Sequence, residues 1–166
     1  MSFVVEDGTG LANATSLVSV AEADTYFSDR GGVAWAALDD TTDKQPALVV
    51  ASEFVSTAFE FVGSKVSTTQ ALAWPRDAYG VPNAIKAAVY RVAFEVAVNS
   101  VDLFAAVSGP DLVEKVKAGS VEITFGDQAL NLANDGRPSF PWLNSLMGPY
   151  LASGGAGSFS RKLVRV

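Results

Sequence analysis

The strongest constraint on this chain is a run of helical periodicity between residues 45 and 62. Ala47, Leu48, Ala51, Phe54, Val55, Ala58, Phe59 and Val62 recur at about 100° per residue and form one apolar stripe. Gln45, Ser52, Glu53, Ser56, Thr57 and Glu60 fall on the opposite face. A strand alternates its side chains and cannot hold such a stripe on one side, so the segment predicts an amphipathic helix lying on a core. Asp39, Asp40, Thr42 and Asp43 precede it, supplying caps and negative charge where the helix dipole favours both. Pro46 is compatible with a first turn, and Gly63 is the expected stop. Val49 falls on the polar face, either as a single exposed valine or as part of a subunit contact.

Pro82 suits the start of a second long helix, over about residues 83–100. Lys86 lies roughly opposite Arg91 and Glu95, and alanine, valine, Tyr90 and Phe94 fill the rest of the circumference. A helix so apolar all round is packed on several sides, as a central core helix or as one shared with a neighbouring subunit. Ser19-Val20-Ala21-Glu22 is a capping box that predicts a helix from Val20 to about Arg30, closed by Gly31-Gly32. Val33–Leu38 is a short apolar segment carrying Trp35. Near 113–125 the period drops to two: Val121, Ile123 and Phe125 alternate with Glu122 and Thr124, and Val113–Lys117 can pair with them across Ala118-Gly119-Ser120 as a β-hairpin. Ser139–Leu151 reads as a last short helix with Leu143, Leu146, Met147 and Tyr150 inside, interrupted by Pro149. The expected fold is mainly α: a compact bundle of about four to five helices with a small β-hairpin and an extended C-terminal arm. The expected organisation is a body over 1–151, a Gly/Ser linker over 152–158 and a basic arm over 159–166.

Composition removes several kinds of chemistry. The chain has no cysteine and no histidine, which excludes disulfides, thiol nucleophiles, His-ligated metals and Ser-His-Asp catalysis. Eighteen acids face twelve bases, a net charge of −6, and such a surface repels phosphate backbones. Gly8-Thr9-Gly10-Leu11-Ala12-Asn13 matches two glycines of a dinucleotide fingerprint, but the following helix starts too late for its N-terminus to meet a phosphate. Asp39, Asp40 and Asp43 fit no calcium loop and are explained as caps. Trp35, Trp74 and Trp142 are expected in the core, since stacking on single-stranded DNA also needs a basic groove. We therefore expect no enzyme, no cofactor and no bound metal. The chain shows no signal-peptide pattern and no membrane-spanning run. The last residues, Phe159, Arg161, Lys162, Leu163, Val164, Arg165 and Val166, combine apolar and cationic side chains, and without their three bases the body carries nine cations against eighteen acids, a net of −9. This segment is either a solvated end or an arm that docks on an acidic partner.

Several segments, taken in order, resemble a known family. They are Val5-Glu6-Asp7-Gly8-Thr9-Gly10-Leu11, Ser19–Asp24 with Tyr26-Phe27, Trp35-Ala36-Ala37-Leu38 and, most of all, Gln70-Ala71-Leu72-Ala73-Trp74-Pro75-Arg76. Together they resemble tailed-bacteriophage head–tail connector adaptors, which are also catalogued as DnaT-like single-stranded-DNA-binding proteins. The resemblance covers residues 3–151. It implies a structural virion protein, made in the host bacterial cytoplasm and located at the virion neck. It implies partners as well: the portal protein, about twelve copies of itself in a ring, the next connector or tail protein, and double-stranded DNA passing through without specific binding. Gln70, Trp74, Pro75 and Arg76 are then structural motif residues, and 159–166 is the arm reaching the portal or a neighbour. The sequence departs from the family pattern in a short segment between Arg76 and Pro82, and the tail after Leu151 lies outside the core resemblance. The alternative is a DnaT-like single-stranded-DNA-binding replication accessory. The acidic composition argues against that alternative, because a single-strand binder needs the opposite sign.

Overall fold

The structure is a computed structural model that describes residues 2–77, 80–104, 115–118, 121–124 and 140–152. The chain is mainly helical, with five α-helices among the described residues. Helix α1 (Val20–Ser28) begins at its capping box: the Ser19 hydroxyl accepts from the Glu22 amide, and the Glu22 carboxylate accepts from the Ser19 amide at 2.8 Å. The helix stops two residues before Arg30. Gly31 takes a left-handed φ of +70°, and the Gly32 amide donates back to the Phe27 carbonyl at 2.8 Å. A single turn, α2 (Val33–Ala36), buries Trp35.

The acidic run does not cap the long helix directly. Asp40–Lys44 form a π-helical turn, and the Asp39 carboxylate accepts the amides of Thr41 and Thr42, both at 2.9 Å. Helix α3 (Gln45–Ala58) follows and packs against α4 (Asn83–Ala97), the principal helix pair of the fold. Ala47, Leu48, Ala51, Phe54 and Val55 are buried as the stripe requires, but its last members are not: Ala58 and Val62 are exposed and Phe59 is half-buried. Two expectations for α3 are corrected. The helix ends at Ala58, not at Gly63, because Phe59 is extended and residues 60–62 pair with the end of the body: the Val62 amide donates to the Tyr150 carbonyl and the Ala152 amide to the Glu60 carbonyl, both at 2.9 Å. Ser52, assigned to the polar face, is fully buried, with its hydroxyl accepting the Leu17 amide at 3.0 Å. A loop amide needed an acceptor there, and helical period alone does not reveal this.

Helix α4 follows Pro82 and ends at Ala97, short of residue 100. Ile85, Ala88, Val89, Val92 and Ala93 are completely buried. Lys86 reaches Glu22 of α1 at 2.6 Å, tying the two helices. Helix α5 (Pro141–Met147) is followed by a 3₁₀ turn, Gly148–Tyr150, so the α-helix ends at Met147 where Pro149 limits it. Leu143 and Met147 are buried, whereas Leu146 and Tyr150 are half-buried.

Contacts divide the chain into two units, residues 1–101 with 142–166, and Asp102–Pro141. Everything above belongs to the first, apart from Pro141. In the second, β1 (Lys115–Ala118) and β2 (Val121–Thr124) pair antiparallel, with Lys117 opposite Glu122. The remaining hairpin positions, Val113, Gly119-Ser120 and Phe125, lie outside the described residues, as do linker residues 153–158 and the arm 159–166. No helix among the described residues is long and apolar enough to cross a membrane.

Candidate functional site

The glycine loop at the N-terminus is closed by its own side chain. Glu6 is buried, and its carboxylate accepts the amides of Gly8 (3.0 Å), Gly10 (2.8 Å) and Leu11 (2.9 Å). Three convergent amides are the geometry that binds an anion, and here the anion is Glu6 itself. The loop rests on the segment that carries the strongest motif. Gly10, at a φ of +82°, lies against Ser67 and Gln70, and the Ala71 amide donates to the Leu11 carbonyl at 3.1 Å.

Within that motif the Gln70 amide and the Arg76 guanidinium meet backbone, whereas the buried Trp74 indole N–H has no hydrogen-bond partner among the described residues. Gln70 is buried; its Oε1 accepts from the Ser67 amide at 3.0 Å, and its Nε2 donates to the carbonyls of Leu72 (2.9 Å) and Pro75 (3.0 Å). The Arg76 guanidinium donates to the carbonyls of Phe61, Val62, Gly63 and Ala73. The Trp74–Pro75 bond is cis. Trp74 is buried and meets Phe61 and Tyr150 edge-on, at 5.6 and 5.7 Å between ring centres. The four motif residues thus join the glycine loop, the end of α3 and the 3₁₀ turn.

A second arrangement lies on α1, α4 and α5. The Arg30 guanidinium sits 3.9 Å from the Tyr26 ring centre, and Arg91 Nε donates to the Tyr26 hydroxyl at 2.8 Å. The Arg91 guanidinium is 5.8 Å from the ring centre of Trp142. Cation and aromatic therefore alternate along one row, Arg30–Tyr26–Arg91–Trp142. Beside it lies an open cleft of about 270 Å³ lined by Phe27, Arg91, Phe94, Glu95 and Trp142. Trp35 and Trp74 are buried as expected, but Trp142 is half-buried, which corrects its expected place in the core. The sequence reading missed this row. Tyr26 and Arg30 are four residues apart, the spacing that shares a face in a helix expected to run to Arg30, which was a legible signal, although Arg30 lies in the turn after α1; the approach of Arg91 and Trp142 is tertiary.

The other cations are held differently. Lys44 is buried between Asp40 (2.7 Å) and Asp24 (3.0 Å), and Asp24 also accepts the Trp35 indole N–H at 2.8 Å. Burial works against the Lys44 ammonium, but the two carboxylates outweigh it and hold the group above its ordinary range. Partial burial likewise works against ionised Glu22, yet Lys86 and the Ser19 donors hold its carboxyl below the usual range. The amides of Thr42 and Thr41 lower Asp39 in the same sense. Burial, then the charge of Glu22, pushes the Tyr90 hydroxyl above its ordinary range. Among the described residues no three acidic side chains are gathered as a metal site would need. Arg30 and Arg91 ion-pair with no carboxylate among the described residues.

No curated protein matches the chain. No solved structure matches it either. A protein family described as "Putative DnaT-like ssDNA binding protein" matches residues 1–166, and its description names neither a phage nor a connector. With a match along its whole length, the chain belongs to that family.

Proposed function

We propose that the chain is a structural subunit of a phage head–tail connector, an adaptor that docks on the portal as a ring, extends the DNA channel and carries the attachment surface for the next connector or tail protein. The observation behind this reading is the state of its charges. Thirteen carboxylates and six cations lie in residues 2–77, 80–104 and 140–152, and Lys44, Lys86 and Arg76 are all held by intramolecular partners. The remaining surface carries a net negative charge, with Arg30, Lys65 and Arg91 as the cations that no carboxylate among the described residues pairs. An anionic wall lets a duplex slide, because it gathers no phosphates and displaces no counterions. The resemblance of the Gln70–Arg76 segment and its companions to adaptors supports the same reading. The basic arm, Phe159 to Val166, supplies contacts to the portal or to a neighbouring subunit. The test is negative-stain microscopy of the protein mixed with its portal. Rings on the portal are expected, and their loss is expected when Arg161, Lys162 and Arg165 are reversed to Glu.

A second reading, a single-stranded-DNA-binding accessory, is favoured by the family description and by the Arg30–Tyr26–Arg91–Trp142 row. Alternating guanidinium and aromatic groups are what base stacking uses. The comparisons speak for this reading rather than for the adaptor. Titration with a labelled single-stranded oligonucleotide separates the two. Micromolar, salt-sensitive binding that is lost in Arg91→Ala and Trp142→Ala would establish the second reading and overturn the first.

A further inference from the structure

A second cleft, of about 440 Å³, opens between the end of α1, the Gly31-Gly32 turn, α2 and Lys44. Its apolar lining is Phe27, Val33, Trp35 and Ala36. Val33 is 78% exposed, so an apolar side chain stands at the mouth without serving the core. The one cation in the lining, Lys44, is buried and already neutralised by Asp24 and Asp40. The adjoining turn adds the exposed Asp39 and Asp43. Arg30, which precedes Gly31, is turned onto the Tyr26 ring and carbonyl, so the cleft has an apolar floor with surroundings of net negative charge.

One segment of the chain has the complementary chemistry. Residues 159–166 combine apolar Phe159, Leu163, Val164 and Val166 with cationic Arg161, Lys162 and Arg165. Ala152 is fixed to the body through its amide bond to the Glu60 carbonyl, and the residues beyond it can span roughly 45 Å when extended. We infer that the Trp35 cleft receives the C-terminal segment 159–166 of a neighbouring copy. This rests on the ring proposed above. A head-to-tail arm is a heterologous contact of the kind that closes rings, and it brings three positive charges to a neighbour whose acidic body would otherwise repel.

The test uses a labelled peptide of residues 158–166 and the full-length protein with Arg161, Lys162 and Arg165 reversed to Glu, so that its own arm does not compete. Saturable binding is expected, weakened at least tenfold by Val33→Lys and unchanged by Val62→Lys, an exposed valine (45%) outside this cleft. In sedimentation, the arm-reversed protein and the Val33→Lys protein are expected to be monomeric alone and to pair when mixed, since each supplies the half the other lacks. Absence of peptide binding, equal loss with Val62→Lys, or failure of the mixture to pair would overturn the inference. Portal attachment is read separately by microscopy. Rings that form without the peptide contact would refute this arm-in-cleft contact and leave the adaptor reading standing.

Discussion

Glu6 sits within a glycine loop and accepts three amides, that of Gly10 buried and those of Gly8 and Leu11 part-buried. Replacing it with alanine leaves those donors unsatisfied, at a cost of about 2–4 kcal/mol. Urea denaturation of Glu6→Ala should show this as a lowered midpoint, and Glu6→Gln, which keeps an acceptor oxygen, should recover part of it. Arg76 makes the corresponding case for a cation. Its planar fork reaches four carbonyls across two segments, and a lysine ammonium cannot reproduce that fan. Arg76→Lys is expected to destabilise by about 1–2 kcal/mol, read in the same denaturation experiment. If Arg76→Lys matches the wild type, the carbonyl contacts carry no weight.

At the scale of elements, ion pairs join what hydrophobic burial brings together, and they make stability depend on pH. Glu22 joins α1 to α4 through Lys86, with its folded pKa lowered. Its contribution is present above the unfolded carboxyl's pKa and is lost as pH falls through the folded value. Lys44 and Tyr90 are raised, so their contributions are present below their unfolded values and are lost as pH rises through the folded ones. Melting temperature should therefore fall on both sides, below about pH 4.5 and above about pH 10, and Lys86→Met should flatten the acid limb. The helices were the legible part of the sequence. The Ser19–Glu22 box, the buried stripe of α3 and the Pro82 start of α4 follow from local rules and appear at those residues. What was not legible depended on distant partners. Phe59–Val62 continue the helical period but are drawn out to pair with residues 150–152. Ser52 looks polar by position and is buried by the Leu17 amide. The Arg30–Trp142 row was half visible, in the spacing of Tyr26 and Arg30, and completed only by packing.

For the molecule as a whole, an excess of acids at a net charge of −6 means that like charges oppose compaction. Screening should relieve this: raising NaCl from about 10 mM to about 200 mM shrinks the Debye length from roughly 30 Å to under 10 Å. An increase of melting temperature by a few degrees is expected in a scanning fluorimetry series, and a decrease would show that intramolecular ion pairs dominate instead. The same molecule anchors its last described residues by main-chain bonds from Val62 to Tyr150 and from Ala152 to Glu60, beside the rings of Phe61, Trp74 and Tyr150. A tug on the tail is thereby delivered first to this short ladder and the ring cluster behind it, before it can peel the final helix. If the tail is a tether, its strain is borne by the same knot that the Gln70–Arg76 segment ties.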